Sequence, residues 1–351
     1  MTPPRFMACA QHWNRPDLVP PVRVDRTGRR GPTRKEARGH HWRKTSQGFY
    51  VPATVDGDVP EQRIVEAAAA LPAIGAVTGW AALRWLGATW FDGRTPDGES
   101  QLPVCLATVN IATPANAVLS EERLPLKHII EVDDLMVVTP VWALAFEMRY
   151  ARSVRDAAVA FDMTAYADLV SVDEYDEVVS ELSGWTGIPQ MRKARPLLNE
   201  NSWSPWECRM RHIWELDAGL AKPLANRPIF DRQGRHILTP DLFDPVAGLA
   251  GEYKGGVHAT GAQRLIDRDR DELYRQHGIE VVVMMQGDSA QREQVAARIL
   301  QARARALFEP ESSRSWTIEP PAWWTPTLTV AQRRALSEGD RQRFLRHRHI
   351  A

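Results

Sequence analysis

The sequence predicts an α/β protein of the α+β kind, and three observations carry that prediction. Between Ser204 and Phe308 helical and strand periodicities follow one another in the order αβββαβα. Between Glu61 and Met163 short β-branched runs alternate with apolar positions at helical spacing. At 351 residues the chain has material for two or three cores, because a domain takes ~150 residues. Hydrophobic residues (44%) and charged residues (25%) stand near the globular average, which excludes a disordered or fibrous class.

The front of the chain, residues 1–60, is read as a small basic region. Between Arg23 and Lys44 nine basic residues stand against two acids, the most basic stretch present. Thr33 caps a short helix through Ala37, and Trp42 to Val51 reads as a hairpin turning at Gln47-Gly48. A helix followed by a hairpin is winged-helix-like, and Arg34, Lys35, Trp42, Arg43 and Lys44 are its candidate nucleic-acid contacts, four cations for phosphates and one indole for stacking.

Residues 61–190 form the mixed α/β middle. Helices are predicted over Glu61 to Leu71 and Gly79 to Gly87, both with a buried face, and strands over Pro103 to Val109 and Leu135 to Val138. Pro140 opens a helix to Tyr150, and Ser153 caps another through Met163. From Asp162 to Glu181 seven acids occur with no lysine or arginine. Turn residues and a basic cluster between Gly184 and Arg195 mark a boundary.

Residues 200–309 are the most ordered part. Ser204-Pro205 starts a helix that runs to Asp217. Strands follow over Arg227 to Asp231, His236 to Phe243 and Leu249 to Lys254, then a helix over Ala262 to His277, a strand over Ile279 to Met285 and a helix over Ala290 to Phe308. In residues 310–351 an extended Pro/Trp stretch, Pro320 to Pro326, precedes a basic helix whose arginines contact either phosphates or the acidic Asp162 to Glu181 segment, the second being favoured.

The richest chemistry lies in Thr239-Pro240-Asp241 and Glu252-Tyr253-Lys254. Side chains alternate along a strand, so Glu252 and Lys254 share a face, roughly 6 to 7 Å apart along the backbone. Asp241 on a neighbouring strand reaches the same face. Two carboxylates suit a hard cation such as Mg²⁺ or Mn²⁺, and a lysine beside them orients or deprotonates water, the combination that phosphodiester hydrolysis needs. Glu207 on the preceding helix and His258 after Gly255-Gly256 are further catalytic candidates, as an added carboxylate and as a donor to phosphate or leaving group.

Pro240-Asp241 and Glu252-x-Lys254, within an αβββαβ order, resemble the PD-(D/E)xK nuclease superfamily with its restriction-endonuclease-like core. Ser204-Pro205-Trp206-Glu207, Glu252-Tyr253-Lys254-Gly255, His258, Asp267 to Arg270 and Leu273 to Gly278 look most like domains allied to very-short-patch-repair endonucleases. Lys254 stands where that subgroup usually has aspartate, closer to the parent superfamily's active form. Gly48-Phe49-Tyr50-Val51, Gly79-Trp80-x-Ala82 and Val138-Thr139-Pro140 are loosely similar to AbiEi-type antitoxins, a resemblance that implies DNA binding by the N-terminal region.

Other classes are disfavoured. The Asp267, Asp269, Asp271 run lacks the glycine and last ligand of a calcium loop, and no phosphate-loop pattern occurs among Gly248, Gly251, Gly255 and Gly256. Asp267 to Glu272 reads as a solvated helix face, except that Asp269, three and four positions from Ile266 and Leu273, lies toward the packed side, where it or Arg270 could support the site. Cys9, Cys105 and Cys208 offer neither a disulfide framework nor a zinc pair, and no apolar run approaches the ~18 residues of a membrane span, so a cytoplasmic protein is expected. The expectation is therefore a Mg²⁺- or Mn²⁺-dependent DNA endonuclease, or alternatively a non-catalytic DNA-binding regulator of antitoxin type that retains a nuclease fold.

Overall fold

The computed structural model describes residues 15, 17–72, 75–95, 97–107, 114–123, 125–255 and 270–346. They belong to two compact units of mixed α and β structure. The first runs up to Ala151 and adds Asp173–Met191, while the second comprises Arg152–Val172 and everything from Arg192. The chain thus passes between the units after Ala151, after Val172 and after Met191. The helix capped by Ser153 belongs to the second unit, because its apolar face packs there rather than on its sequence neighbours.

In the first unit, β1 (Val22–Arg23), β2 (Trp42–Ser46) and β3 (Phe49–Pro52) make an antiparallel sheet in the order β1-β3-β2. The hairpin turns at Gly48, whose φ of +81° suits a residue without a Cβ. The short helix predicted from Thr33 to Ala37 is shortened to a turn with the 3-10 segment Glu36–Arg38: Thr33 caps it, donating to Glu36 at 2.8 Å and accepting the Glu36 N–H at 3.3 Å, and Gly39 ends it. Helices α1 (Pro60–Ala68) and α2 (Gly79–Trp85) are core elements as predicted. Strands β4 (Ala76–Thr78), β5 (Val104–Leu106), β6 (Val118–Ser120), β7 (Ile129–Val132) and β8 (Leu135–Val138) form a mixed sheet, order β6-β5-β4-β8-β7. Helix α3 (Pro140–Tyr150) starts at the predicted proline, and the acidic stretch supplies α5 (Val172–Glu181), which buries only Tyr175 and Val178.

The second unit begins with α4 (Val154–Tyr166), whose cap Ser153 accepts the Asp156 N–H. After α6 (Ile188–Ala194), Ser204 accepts the Glu207 N–H and Pro205 opens α7 (Pro205–His212), which a π-helical turn extends to Asp217. A four-stranded sheet follows: β9 (Leu224–Ala225), β12 (Leu242–Asp244), β13 (Leu249–Lys254) and β14 (Glu280–Met285), order β14-β13-β12-β9. β12 and β13 are antiparallel, β13 and β14 parallel, with the helical residues 270–276 (α8) between them in the chain.

The predicted strand His236 to Phe243 is corrected: it is two strands in two sheets. β11 (His236–Leu238) joins β10 (Ile229–Asp231) and β15 (Trp316–Thr317), while β12 belongs to the larger sheet. Pro240 carries no N–H, so the ladder breaks there.

Alternation along β12 and β13 gives the larger sheet two apolar faces. Leu242, Leu249, Val282 and Met284 pack with Met210 and Trp214 and with Val295 and Ile299 of α9 (Arg292–Arg305). Gly251 lies on that face, where a Cβ would stand 2.9 Å from Met210 Cε, so the bare backbone lets α7 close on β13. On the other face Phe243 and Ala250 pack with Ile229, Leu238, Tyr274 and Trp316.

Farther along, α10 (Val330–Arg334) and α11 (Glu338–Phe344) are tied to Asp168. Arg333, fully buried, reaches Asp168 at 2.5 Å, and Arg341 reaches the other carboxylate oxygen at 2.8 Å. The favoured reading of the basic helix, pairing with the acidic segment, thus holds at Asp168. Among the described residues no helix is long and apolar enough to cross a membrane.

Candidate functional site

The sheet of the second unit brings the predicted carboxylates together at its polar end. Leu242 pairs with Gly251, so continuing the register by one position sets Asp241 opposite Glu252. Glu252 points to the Phe243 and Ala250 side, because it lies two residues from Ala250 on β13. Asp241 Oδ2 accepts the Tyr253 N–H at 2.7 Å, which fixes the carboxylate against β13 just beyond the end of β12. Lys254, half-buried, follows Glu252 on the same face at the end of β13.

Glu207 joins from α7. Its Oε2 accepts the Trp203 N–H at 2.9 Å and Asn226 Nδ2 at 2.7 Å, and the Asn226 N–H is in turn bound to the Asp241 carbonyl at 3.0 Å. Asn226 therefore bridges the helix carboxylate and the Asp241 backbone from a backbone φ of +45°, a conformation that asparagine adopts more readily than most residues. Glu252, 9% exposed, is bound by Arg270 at 2.5 Å and by the Tyr274 hydroxyl, and the same Arg270 nitrogen donates to the Thr239 carbonyl at 2.9 Å. Arg270 and Tyr274 stand four apart on α8, one turn of a single helix face.

Electrostatically this is a strained acidic cluster. Burial, then the nearby charges of Glu207 and Glu252, raises the Asp241 carboxyl well above its ordinary range. Burial also raises Glu207, with a contribution from Glu252. Burial raises the Tyr274 hydroxyl and the Glu252 charge adds to it, so Tyr274 stays a donor. Burial works against the Arg270 charge, but Glu252 more than offsets it and raises the guanidinium.

Among the described residues no three His, Cys, Asp or Glu side chains form a ready-made metal cage. Magnesium does not need one, since it keeps several waters and takes one or two carboxylates. Asp241 and Glu252 supply two, and the neighbouring charges that add to burial in raising the Asp241 carboxyl are what a cation would offset. The donor set fits that ion.

Glu252 and Lys254 lie on the strand, and Glu207 on the helix, that the sequence predicts, whereas Asp241, expected within a strand, stands in the bend just before β12. His258 and Asp269 lie outside the described residues. Arg270 contacts Glu252 and the Thr239 carbonyl, and Tyr274 and Asn226 are further members of the cluster that the sequence does not single out. The i,i+4 spacing of Tyr274 from Arg270 was the available signal for the first, and nothing local marked the second.

In the first unit, Arg34, Lys35 and Lys44 are exposed and Trp42 is half-buried. Strand alternation separates Trp42 and Lys44 from Arg43, which makes a two-pronged ion pair with the buried Glu66 of α1 at 2.9 and 2.7 Å. Arg43 thus fastens the hairpin to α1.

Compared with known proteins, the chain matches no family model, no curated protein and no solved structure.

Proposed function

We propose that the second unit is a metal-dependent endonuclease of PD-(D/E)xK type that hydrolyses DNA phosphodiester bonds. The observation that carries the reading is that the Asp241 carboxylate is held on the Tyr253 N–H of β13, beside Glu252 and Lys254 of the same strand. The order of α7, the β-strands, α8 and the parallel β14 supports it further.

A Mg²⁺ or Mn²⁺ ion would neutralise non-bridging phosphate oxygens and acidify a bound water. Asp241 and Glu252 would hold it. Lys254 orients the attacking water or takes its proton, Glu207 adds negative charge behind Asp241, and His258 donates to the phosphate or leaving oxygen. Tyr274 and Arg270 set the rotamer of Glu252, leaving its second oxygen for the ion. In the first unit Arg34, Lys35, Trp42 and Lys44 supply a DNA-contacting surface.

Plasmid nicking with Mg²⁺ or Mn²⁺ tests the reading. Wild-type protein is expected to nick, and Asp241→Ala or Lys254→Ala to lose about 10²-fold or more. Equal nicking by Asp241→Ala, or none by wild type, overturns it.

A second reading, a non-catalytic DNA-binding regulator of AbiEi antitoxin type, is favoured by one observation: the Arg270 guanidinium already neutralises Glu252. It requires DNA binding that is independent of metal, weakened by salt, and lost when Arg34, Lys35 and Lys44 are neutralised.

A further inference from the structure

The second unit contains a cavity of about 180 Å³ lined by Trp203, Asn226, Thr239, Trp324, Thr327 and Phe344, among others. Three of its lining residues also hold the acidic cluster. Trp203 N–H and Asn226 Nδ2 donate to Glu207, and the Thr239 carbonyl accepts from the arginine that grips Glu252. The cavity and the carboxylates therefore share a wall.

We infer that this cavity receives one unstacked nucleobase of the strand whose phosphate lies at the carboxylates, an inference that rests on the hydrolytic reading and names the substrate feature it would grip. Its volume falls below the ~300–1,000 Å³ of pockets for drug-sized ligands, which suits a single planar ring system. The walls are aromatic on separate elements: Trp203 before α7, Trp324 in the Pro/Trp segment and Phe344 on α11, all only partly buried. Planar faces of this kind bind bases irrespective of sequence.

Trp324 is held in place before any ligand arrives. It packs edge-on to Phe230, with centroids 4.9 Å apart, and stacks on His236 at 5.5 Å, while His236 bonds to Thr239 Oγ1 at 3.0 Å. A rigid indole loses little freedom on binding, which is what a stacking platform requires. Arg343 lies over Phe344, 5.2 Å from its ring centre, and brings a cation toward the sugar-phosphate on the outer side. Asn226 and the threonines add the few polar groups that orient a base edge.

The probe is 2-aminopurine deoxynucleoside 5′-monophosphate, whose fluorescence is excited beyond tryptophan absorption and quenched by stacking. Titration into wild-type protein with EDTA present is expected to quench it. Trp324→Ala weakens the apparent affinity about tenfold or more, and Trp324→Phe restores most of it. Asp241→Asn, which abolishes nicking under the hydrolytic reading, leaves the quench unchanged.

That pattern supports the base pocket whether or not plasmid is nicked, so the two readings fail separately. No quench with wild type, or an equal quench with Trp324→Ala of unchanged melting temperature, overturns the pocket. If Trp324→Ala does not fold, Phe344→Ala takes its place with the same two outcomes.

Discussion

Arg270 reaches Glu252 at 2.5 Å from the helix that precedes β14, and the same nitrogen holds the Thr239 carbonyl next to Pro240-Asp241. One side chain thus clamps both strand ends that carry the acidic pair. Arg270→Met removes from Glu252 the charged one of the two donors described on it, Arg270 and Tyr274, beside two other carboxylates. A third of the Arg270 side chain is exposed, so solvent screens part of the loss, and about 1–2 kcal/mol of stability is expected to go. Millimolar Mg²⁺ restores more of the melting temperature in Arg270→Met than it adds to wild type. Equal responses to Mg²⁺ in the two proteins contradict a cation site at Glu252.

The raised carboxyls of Asp241 and Glu207 set the sign of the pH dependence. A group whose folded pKa exceeds its unfolded one contributes stability below the ordinary carboxylate range and loses it as pH rises through the folded value. The metal-free second unit is therefore expected to melt lower as the medium goes from mildly acidic to alkaline, with Mg²⁺ reversing the fall. Asp241→Asn removes that share of the loss while its amide oxygen still accepts the Tyr253 N–H. It gains about 0.5–2 kcal/mol at pH 8 and nothing at pH 4. Scanning calorimetry at the two pH values decides this, and a pH-independent gain refutes it.

Arg333 is enclosed by Asp168 at 2.5 Å and by the carbonyls of Ala165, Glu200 and Thr327 at 2.7, 3.0 and 3.1 Å. Arg333→Met leaves a carboxylate and three acceptors with fewer donors. Removing one member of a buried pair costs about 3–5 kcal/mol, roughly 10 °C in a domain of this size. A shift of a degree or two in the thermal melt of Arg333→Met shows that water replaces the guanidinium.

Elements whose signals are local were legible in the sequence. Ser153 and Ser204 cap α4 and α7 as read, Pro140 opens α3, and β13 has the predicted limits Leu249–Lys254. The candidate site was legible to the extent that Glu252 and Lys254 share a strand and its two-residue period. The His236 to Phe243 run reads as one strand because apolar pairs, Ile237-Leu238 and Leu242-Phe243, stand at both ends of it, although Thr239-Pro240-Asp241 between them is a visible reason to divide it. Arg43 was assigned to DNA because its partner Glu66 lies 23 positions away on another element. Asn226 bridges Glu207 and the Asp241 backbone through contacts that only the folded chain creates, and no spacing in the sequence encodes them.

The clasp around Asp168 joins residues 165 positions apart, Arg333 and Asp168, with a stretch of the first unit between them in the chain. A ribosome releases the Arg152–Val172 segment long before its partners exist. Domains otherwise tend to fold in the order they are made. Here α4 and the turn after it must wait, Asp162 and Asp168 unanswered, until Arg211 and then Arg333 have been translated. Ribosome-bound chains stopped ahead of Arg333 are accordingly open to protease at α4, and the strand ends bearing the carboxylates are made before the clasp that completes the unit around them.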